Sequence, residues 1–520
     1  MKRKNTNRIK LLLLLTASLP VLAVQAQLNS STLRPYLDDE KAVSSAGLKF
    51  TASVKIFYTA TDYQPVWLRP DNSLGLLLDQ LSWAHTRGLE EKDYQYEFIH
   101  AWRNRNYPML TFNDSVNAEL LFTDAAIHFY NDIAHGNIRP SFGYNGLNYT
   151  PGRINIPVVL KEYISNKKLT ALADKLEAPL PEIAIMEKMI TRLDAVMNDS
   201  SFSEVNIKAA KVSVTNTALV TRLEQLGIVE NKADKLTDTL LKVKLKEAQR
   251  MFNVLADGVL RNTTLNELNT SLSARRKMLK LSLNYYRWLY CLAESQSVIV
   301  VNIPATVLKV YKGRNTMLQM KVIVGKRSTP TPTLTSTVKE VILYPYWHVP
   351  HSIATKELLP SIKANPGFID AGNYQVLNSA GKILDPYSVN WHSFSGSYFP
   401  VTIRQSTGCD NALGLIKLNF YNPFGVYLHD TPKKSLFMTN ERFYSHGCMR
   451  MEKPMEMGHL ILKNNARAID TLEQKGCLRN QSPIYVKADE QMPVVVWYNP
   501  AGLDNTGKLV LYRDVYGKFN

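Results

Sequence analysis

The sequence predicts an α+β protein, with a helical N-terminal region followed by a C-terminal domain built as a small, largely antiparallel β-sandwich. Apolar residues recur at helical spacing from Leu74 to Trp288, and the period switches to that of strands at Ser297, where Val298-Ile299-Val300-Val301 opens a series of short β-branched runs. The chain has 520 residues, more than the ~250–300 at which one core stops growing, so several domains are expected.

In chain order, residues 1–26 read as a secretory signal. Lys2, Arg3, Lys4, Arg8 and Lys10 precede the apolar run Leu11 to Val24, and Val24-Gln25-Ala26 offers small residues for cleavage. The run is short for a membrane span, although left uncleaved it would anchor the chain at the inner membrane. The formal charge is +17, and the mature chain stays decidedly basic when those five cations are set aside. Such charge suits anionic polymers. Export argues against nucleic acid, and no Lys/Arg block is interleaved with aromatics.

Residues 27–212 form the first folded stretch. Thr51 to Leu68, ending in Pro65-Val66-Trp67-Leu68, is expected as a strand or turn. Ser73 caps a helix marked by Leu74, Leu77, Leu78, Leu81 and Ala84 and stopped by Gly88, and a second helix runs from about Ser115 to His135 with Gly136 behind it. Leu160 to Met197 adds helical pattern broken by Pro179 and Pro181. Residues 213–270 change style. Leu219, Leu223 and Leu226 mark one short helix, Leu240, Val243, Leu245, Ala248 and Phe252 a second, and Thr263 to Leu268 a third after the Asp257-Gly258 turn. Residues 271–294 read as one long helix, with aromatics that belong to a core. Residues 295–490 carry the strands, with an insert at 347–400 rich in turns and in aromatics such as Trp347, Tyr374 and Trp391. A helix from Pro454 to about Gln474 follows, then a last strand at Val494 to Trp497 within the closing stretch 491–520, whose polar tail is uninformative.

The chemistry concentrates between Tyr427 and Met451. A lone Cys is usually a small buried hydrophobe and a lone His a structural residue. Here His429 lies upstream of the run Ser445-His446-Gly447-Cys448-Met449-Arg450, so one segment holds a nucleophile, a base and a guanidinium that favours thiolate. Gly447 lets the backbone turn tightly beside the Cys448 N–H, the making of an oxyanion hole. The four cysteines, Cys291, Cys409, Cys448 and Cys477, show no C-x-x-C spacing, which speaks against structural zinc. A Cys409–Cys477 bridge is one option left open.

These residues, with Arg404-Gln405, Asn411-Ala412-Leu413-Gly414, Lys417 and Tyr427-Leu428-His429-Asp430-Thr431-Pro432, resemble the signature of the L,D-transpeptidases, in particular the long, multidomain Gram-negative type. The resemblance implies a helical scaffold at 27–212, which Gly136-Asn137-Ile138-Arg139-Pro140 would end. It also implies a peptidoglycan-binding-like module at 213–270 carrying Gln249 and Asp257-Gly258, a helix returning to the scaffold, and a catalytic domain at 295–490 whose insert is a cap. Leu260-Arg261-Asn262 stands where that module carries a second Gly, which puts glycan binding in question.

It further implies a cysteine enzyme without metal or cofactor, periplasmic and monomeric. Its partners would be peptidoglycan stem peptides and glycan strands, with room for cell-wall synthesis proteins. Cys448 would attack, His429 would be the base, and the Asp430 backbone carbonyl would hold the other ring nitrogen; a buried Asp430 carboxylate orienting the ring is the rival assignment. Gly447 and Cys448 N–H groups would meet the oxyanion, His446 would shape the turn, and Arg450, Tyr427, Asn411 and Gly414 would line the substrate pocket. The same cysteine could instead hydrolyse, as an L,D-carboxypeptidase or amidase, or the chain could be a non-catalytic wall-binding scaffold. A metal hydrolase built from His429, His446, Cys448 and His459 lacks any recognised ligand spacing.

Overall fold

Each helix buries its apolar stripe and each strand its alternate residues, and in a computed structural model these surfaces gather into two units. The structure describes residues 28–104, 112–149, 154–208, 211–230 and 236–519, so the signal segment at 1–26 lies outside it. One unit comprises residues up to 139, 151–203 and 271–291; the other holds 140–150, 204–270 and 292–520.

The first unit is helical, and its longest described helices are Phe112–His135, Pro181–Met197 and Leu272–Ala293, the last shared at its C-terminal end with the second unit. Its core includes Leu33, Phe57, Trp67, Leu77, Leu81, Phe122, Phe129 and Leu172. The fully buried Arg287 of the long Leu272–Ala293 helix donates from Nε to Glu177 at 2.9 Å, and Arg276 pairs with Asp194 at 2.5 Å, so this helix is tied into the unit by charge as well as by packing. The strand or turn expected over Thr51 to Leu68 is instead a helix, Thr51–Ala60, followed by an irregular loop. The loop finds no strand to pair with because a side chain takes its place: buried Glu119 accepts from the N–H groups of Val66, Trp67 (3.1 Å) and Leu68 (3.0 Å). A cavity of about 540 Å³ in this unit is lined by Asp62, Arg69, Lys161 and Lys167 among others, and by none of the expected site residues.

In the second unit the strands are β1 (Tyr144–Asn145), β2 (Val298–Asn302), β3 (Val307–Lys312), β4 (Asn315–Gly325), β5 (Leu334–Leu343), β6 (Trp347–His348), β7 (Tyr374–Leu377), β8 (Ile383–Leu384), β9 (Thr402–Gln405), β10 (Ile416–Phe420), β11 (Leu428–His429), β12 (Phe443–Ser445), β13 (Met449–Met451), β14 (Ile484–Trp497), β15 (Ala501–Leu503) and β16 (Leu509–Leu511). The main sheet runs β1-β5-β10-β11-β13-β4-β3-β2-β14, and β14 pairs again with β5. The α+β class holds, but the sheet closes on itself instead of forming two open layers. Its pairings mix antiparallel neighbours with parallel ones at β11–β13 and β2–β14. The enclosed core includes Ile299, Val301, Leu308, Val322, Leu334, Leu418, Leu428, Met449, Met451 and Val496.

The insert has a sheet of its own, β6-β9-β7-β8, over a separate core that includes Leu359, Ile362, Val376, Trp391 and Ile403, and it reaches Gln405, past the expected end at 400. The expected helix from Pro454 breaks into Pro454–Leu462 and Arg467–Lys475 around Lys463. The last strand starts ten residues before Val494, and the tail is not idle: β15 and β16 form a hairpin, and the Tyr516 hydroxyl bonds the Gly325 carbonyl.

The expected three-helix module appears as Thr217–Gln225, Asp238–Met251 and Asn262–Leu268. Buried Gln249 donates to Asp257 Oδ1 (3.2 Å) and the Val259 carbonyl (2.9 Å) and accepts from Gly258 N (2.7 Å), so these motif residues spend their hydrogen bonds on their own turn. Leu240 and Val243, expected on the packed face, are exposed. No helix among the described residues is long and apolar enough to cross a membrane.

Candidate active site

Strand alternation assembles the site. On β10, β11 and β13, Ile416, Leu418, Leu428, Met449 and Met451 face the core, which turns Lys417, His429 and Arg450 to the opposite face. The registers are direct: Lys417 lies opposite His429, and His429 opposite Arg450. Tyr427 and Cys448 immediately precede β11 and β13, and the Met449 N–H donates to the Tyr427 carbonyl at 3.0 Å. Tyr427 and His429 meet edge to face with ring centroids 5.6 Å apart, and the Tyr427 hydroxyl hydrogen-bonds Cys448.

The turn that carries the thiol is pinned from several sides. Gly447 has φ +118°, a conformation that L side chains rarely adopt. The Ser445 hydroxyl donates to the Cys448 carbonyl at 2.5 Å and accepts from Gly447 N at 3.2 Å. Thr331 donates to the Gly447 carbonyl at 2.8 Å, and Thr329 to the Ser445 carbonyl at 3.1 Å. The expectation that the Gly447 N–H is free to meet an oxyanion therefore fails in this conformation, because Ser445 has taken it.

His429 is buried, and its Nδ1 lies 2.5 Å from the Asp430 backbone carbonyl, which leaves Nε2 as the nitrogen able to accept a proton. The Asp430 carboxylate does not orient the ring. It accepts from Leu415 N (2.9 Å), Thr431 N (2.7 Å) and Lys434 Nζ (2.5 Å), so the rival assignment of a carboxylate behind His429 is ruled out by where those oxygens go. Burial, followed by the Arg450 charge, pushes the imidazole down to about 3. Burial pushes the Cys448 thiol up, against the hydrogen bonds from Tyr427 and the charges of Lys417 and Arg450. Both shifts favour the uncharged forms, a thiol at Cys448 and a neutral imidazole at His429.

Other expected residues sort differently. His446 is exposed and pairs through Nε2 with Glu357 of the insert at 2.7 Å. Arg450 is half-buried on the site face. Asn411 and Gly414 are engaged in local packing and hydrogen bonding. Asn411 is fully buried, donating to the carbonyls of Pro345 (3.0 Å) and Ser406 (2.8 Å) and accepting from Leu413 N (2.8 Å). Gly414 has φ +59°, and an added Cβ would sit 2.3 Å from Asp430 Oδ2, so this glycine makes room for that carboxylate.

The sequence reading named Ser445 and Lys417 only as members of the signature, without a role, and missed Thr329 and Thr331. Lys417 was legible as a lone cation in an apolar alternating strand, whereas the threonines come from a distant loop and had no local signal. Cys409 and Cys477 are disulfide-bonded with Cα atoms 5.2 Å apart; Cys291 and Cys448 are free. His459 stands apart from Cys448, on the helix Pro454–Leu462, with Asp470 and Glu473 at 3.7 and 3.6 Å.

Residues 296–466 match the family model of the YkuD L,D-transpeptidase catalytic domain, and residues 52–187 match that of the Scaffold domain. A curated Haemophilus influenzae protein named "Putative L,D-transpeptidase" is 34% identical over 238 residues, which is 46% of this chain and 47% of that protein, so the chain spans about half the length of this relative. Among solved structures, an L,D-transpeptidase from Stackebrandtia nassauensis is 12% identical, covering 57% of this chain and 98% of its own, with a TM-score of 0.21. Another, from Mycobacterium smegmatis, is 16% identical over 38% of this chain and 58% of its own, with a TM-score of 0.18. Likeness at that level says nothing of the chemistry. The catalytic-domain match, the scaffold match and this curated relative together support the L,D-transpeptidase family.

Proposed function

We propose that this chain is an exported, periplasmic L,D-transpeptidase that joins peptidoglycan stem peptides through a thioester on Cys448. The observation that supports the reading is the β11–β13 register, which pairs Leu428 with Met449 and His429 with Arg450 and so runs the histidine and cysteine segments side by side. The Cys409–Cys477 disulfide supports export, since such bonds persist in oxidising compartments.

In this mechanism His429 Nε2 takes the Cys448 proton as the sulfur attacks the carbonyl carbon of an L-centre residue that a D-amino acid follows. The tetrahedral oxyanion is met by the Cys448 N–H, an interaction typically worth ~3–4 kcal/mol per donor. The C–N bond then breaks, and His429 returns its proton to the departing amine. The amine of a second stem attacks the thioester and passes a proton to His429 as the thiolate leaves, and a new peptide bond links the stems. Arg450 would meet a donor carboxylate, a task its forked guanidinium suits. The insert would cover the donor and exclude water, a role supported by its reach to both sides of the thiol, through Trp347 to Tyr427 and Glu357 to His446.

The test is product analysis by mass spectrometry, with the mature chain and purified tetrapeptide muropeptides. New stem-to-stem links support the reading; tripeptide products alone would make the enzyme a hydrolase on the same cysteine, and no product at all would leave a wall-binding scaffold.

A further inference from the structure

Burial around Cys448 and His429 raises a problem of charge. The transpeptidase reading needs the sulfur to become anionic, yet the imidazole is so withdrawn from water that its protonated form is a poor counter-ion. Some other positive charge has to face the sulfur.

Lys417 meets that requirement. It lies on β10 opposite His429, within reach of the Cys448 sulfur's charge. Its Nζ lies 4.1 Å from the centroid of the Tyr427 ring, whose hydroxyl hydrogen-bonds Cys448. The side chain is half-buried, and among the described residues no carboxylate lies within 4.0 Å of its ammonium. A cation drawn partly out of water without a fixed anion is costly, and the cost is offset where an anion forms beside it.

The other groups in the neighbourhood do not fill this place. Glu340 on β5 engages Asn419 Nδ2 at 3.0 Å, Lys434 is spent on Asp430, and His348 on β6 is a third weakly basic group held below its ordinary range by burial, Arg404 and Lys417 itself. Arg450 on β13 adds positive charge from the other side of His429.

We propose that Lys417 is a positioning residue whose ammonium, seated on the Tyr427 ring, stabilises the ionised Cys448 sulfur. It touches no reacting atom and transfers no proton; it acts through charge. The inference rests on the reading of Cys448 as nucleophile, but its test needs no peptide donor.

The test follows alkylation of Cys448 by iodoacetamide against pH in the full, non-reduced chain, scored by peptide mass so that Cys291 is counted apart. Wild type is compared with K417M, K417R and K417Q, the last standing in should K417M fail to show a cooperative melt. At pH 7.5 the neutral variants are expected to react on the order of tenfold more slowly, with the profile displaced to higher pH, and K417R to recover most of the rate. A purely structural lysine would leave the profile in place. Neutral variants with the wild-type profile, or a K417R as slow as K417M, would overturn the proposal. Should wild type form no acyl-enzyme while the profile still shifts, the transpeptidase reading falls and the role of Lys417 stands.

Discussion

At the scale of residues, the site opposes ionisation in its resting state: burial raises the thiol, and burial with Arg450 lowers the imidazole to about 3. A preformed thiolate–imidazolium pair would react at a constant rate from below pH 6. Neutral partners predict instead that Cys448 alkylation climbs through the alkaline range with no step near pH 6.5, which a pH series with iodoacetamide reads directly. The imidazole also bears on stability. Its folded pKa lies below the unfolded value of ~6.5, so between about pH 6.5 and 3 the unfolded chain binds more protons, and stability falls as pH falls. The slope is at most about 1.4 kcal/mol per pH unit. His429→Asn should flatten that part of the melting-temperature profile, and a variant with an unchanged acid slope would contradict the assignment. Gly414→Ala brings a Cβ against the Asp430 carboxylate in a left-handed backbone, and a loss of about 2–4 kcal/mol in unfolding free energy, measured by denaturant titration, is expected, with slower acylation as the carbonyl behind His429 shifts.

At the scale of elements, much of the site was legible because it is local. His429, Gly447, Cys448 and Arg450 sit in short strands and one turn, where alternation and a tight backbone declare themselves in consecutive residues. Several of the misreadings are non-local. The Pro65-Val66-Trp67-Leu68 stretch has the composition of a strand, but Glu119, more than fifty positions away, satisfies its N–H groups. Asn411 looked like a ligand for substrate, yet its amide is consumed by carbonyls of Pro345 and Ser406 that no spacing announces. The Cys409–Cys477 bridge closes a separation of 68 residues around the site strands. Chain entropy assigns such a loop about 4 kcal/mol as an upper figure. Cys409→Ser is expected to lower the unfolding free energy of the β-rich unit, measured by denaturant titration, by ~2–4 kcal/mol, while native-state alkylation of Cys448 stays at its wild-type rate. A variant as stable as wild type would mean that the bridge constrains little.

At the scale of the molecule, the change of hydrophobic period near Ser297 forecast the β-rich domain, and the helical stripes forecast the unit before it. Closure of the sheet through β5 and β14 was not forecast, since strand pairing over 150 positions leaves no trace in a local pattern. The insert's own core and sheet fit a cap, and the module at 213–270 has its three helices, although Gln249 and Asp257-Gly258 serve its internal turn. The proposed function turns on a covalent step at one sulfur. Intact-mass spectrometry of the mature chain, quenched during turnover of a tetrapeptide stem, tests that step most directly. The account predicts an adduct equal to the acyl tripeptide on Cys448, with release of the terminal D-amino acid, and none in Cys448→Ala; turnover of the donor by Cys448→Ala at the wild-type rate would contradict it.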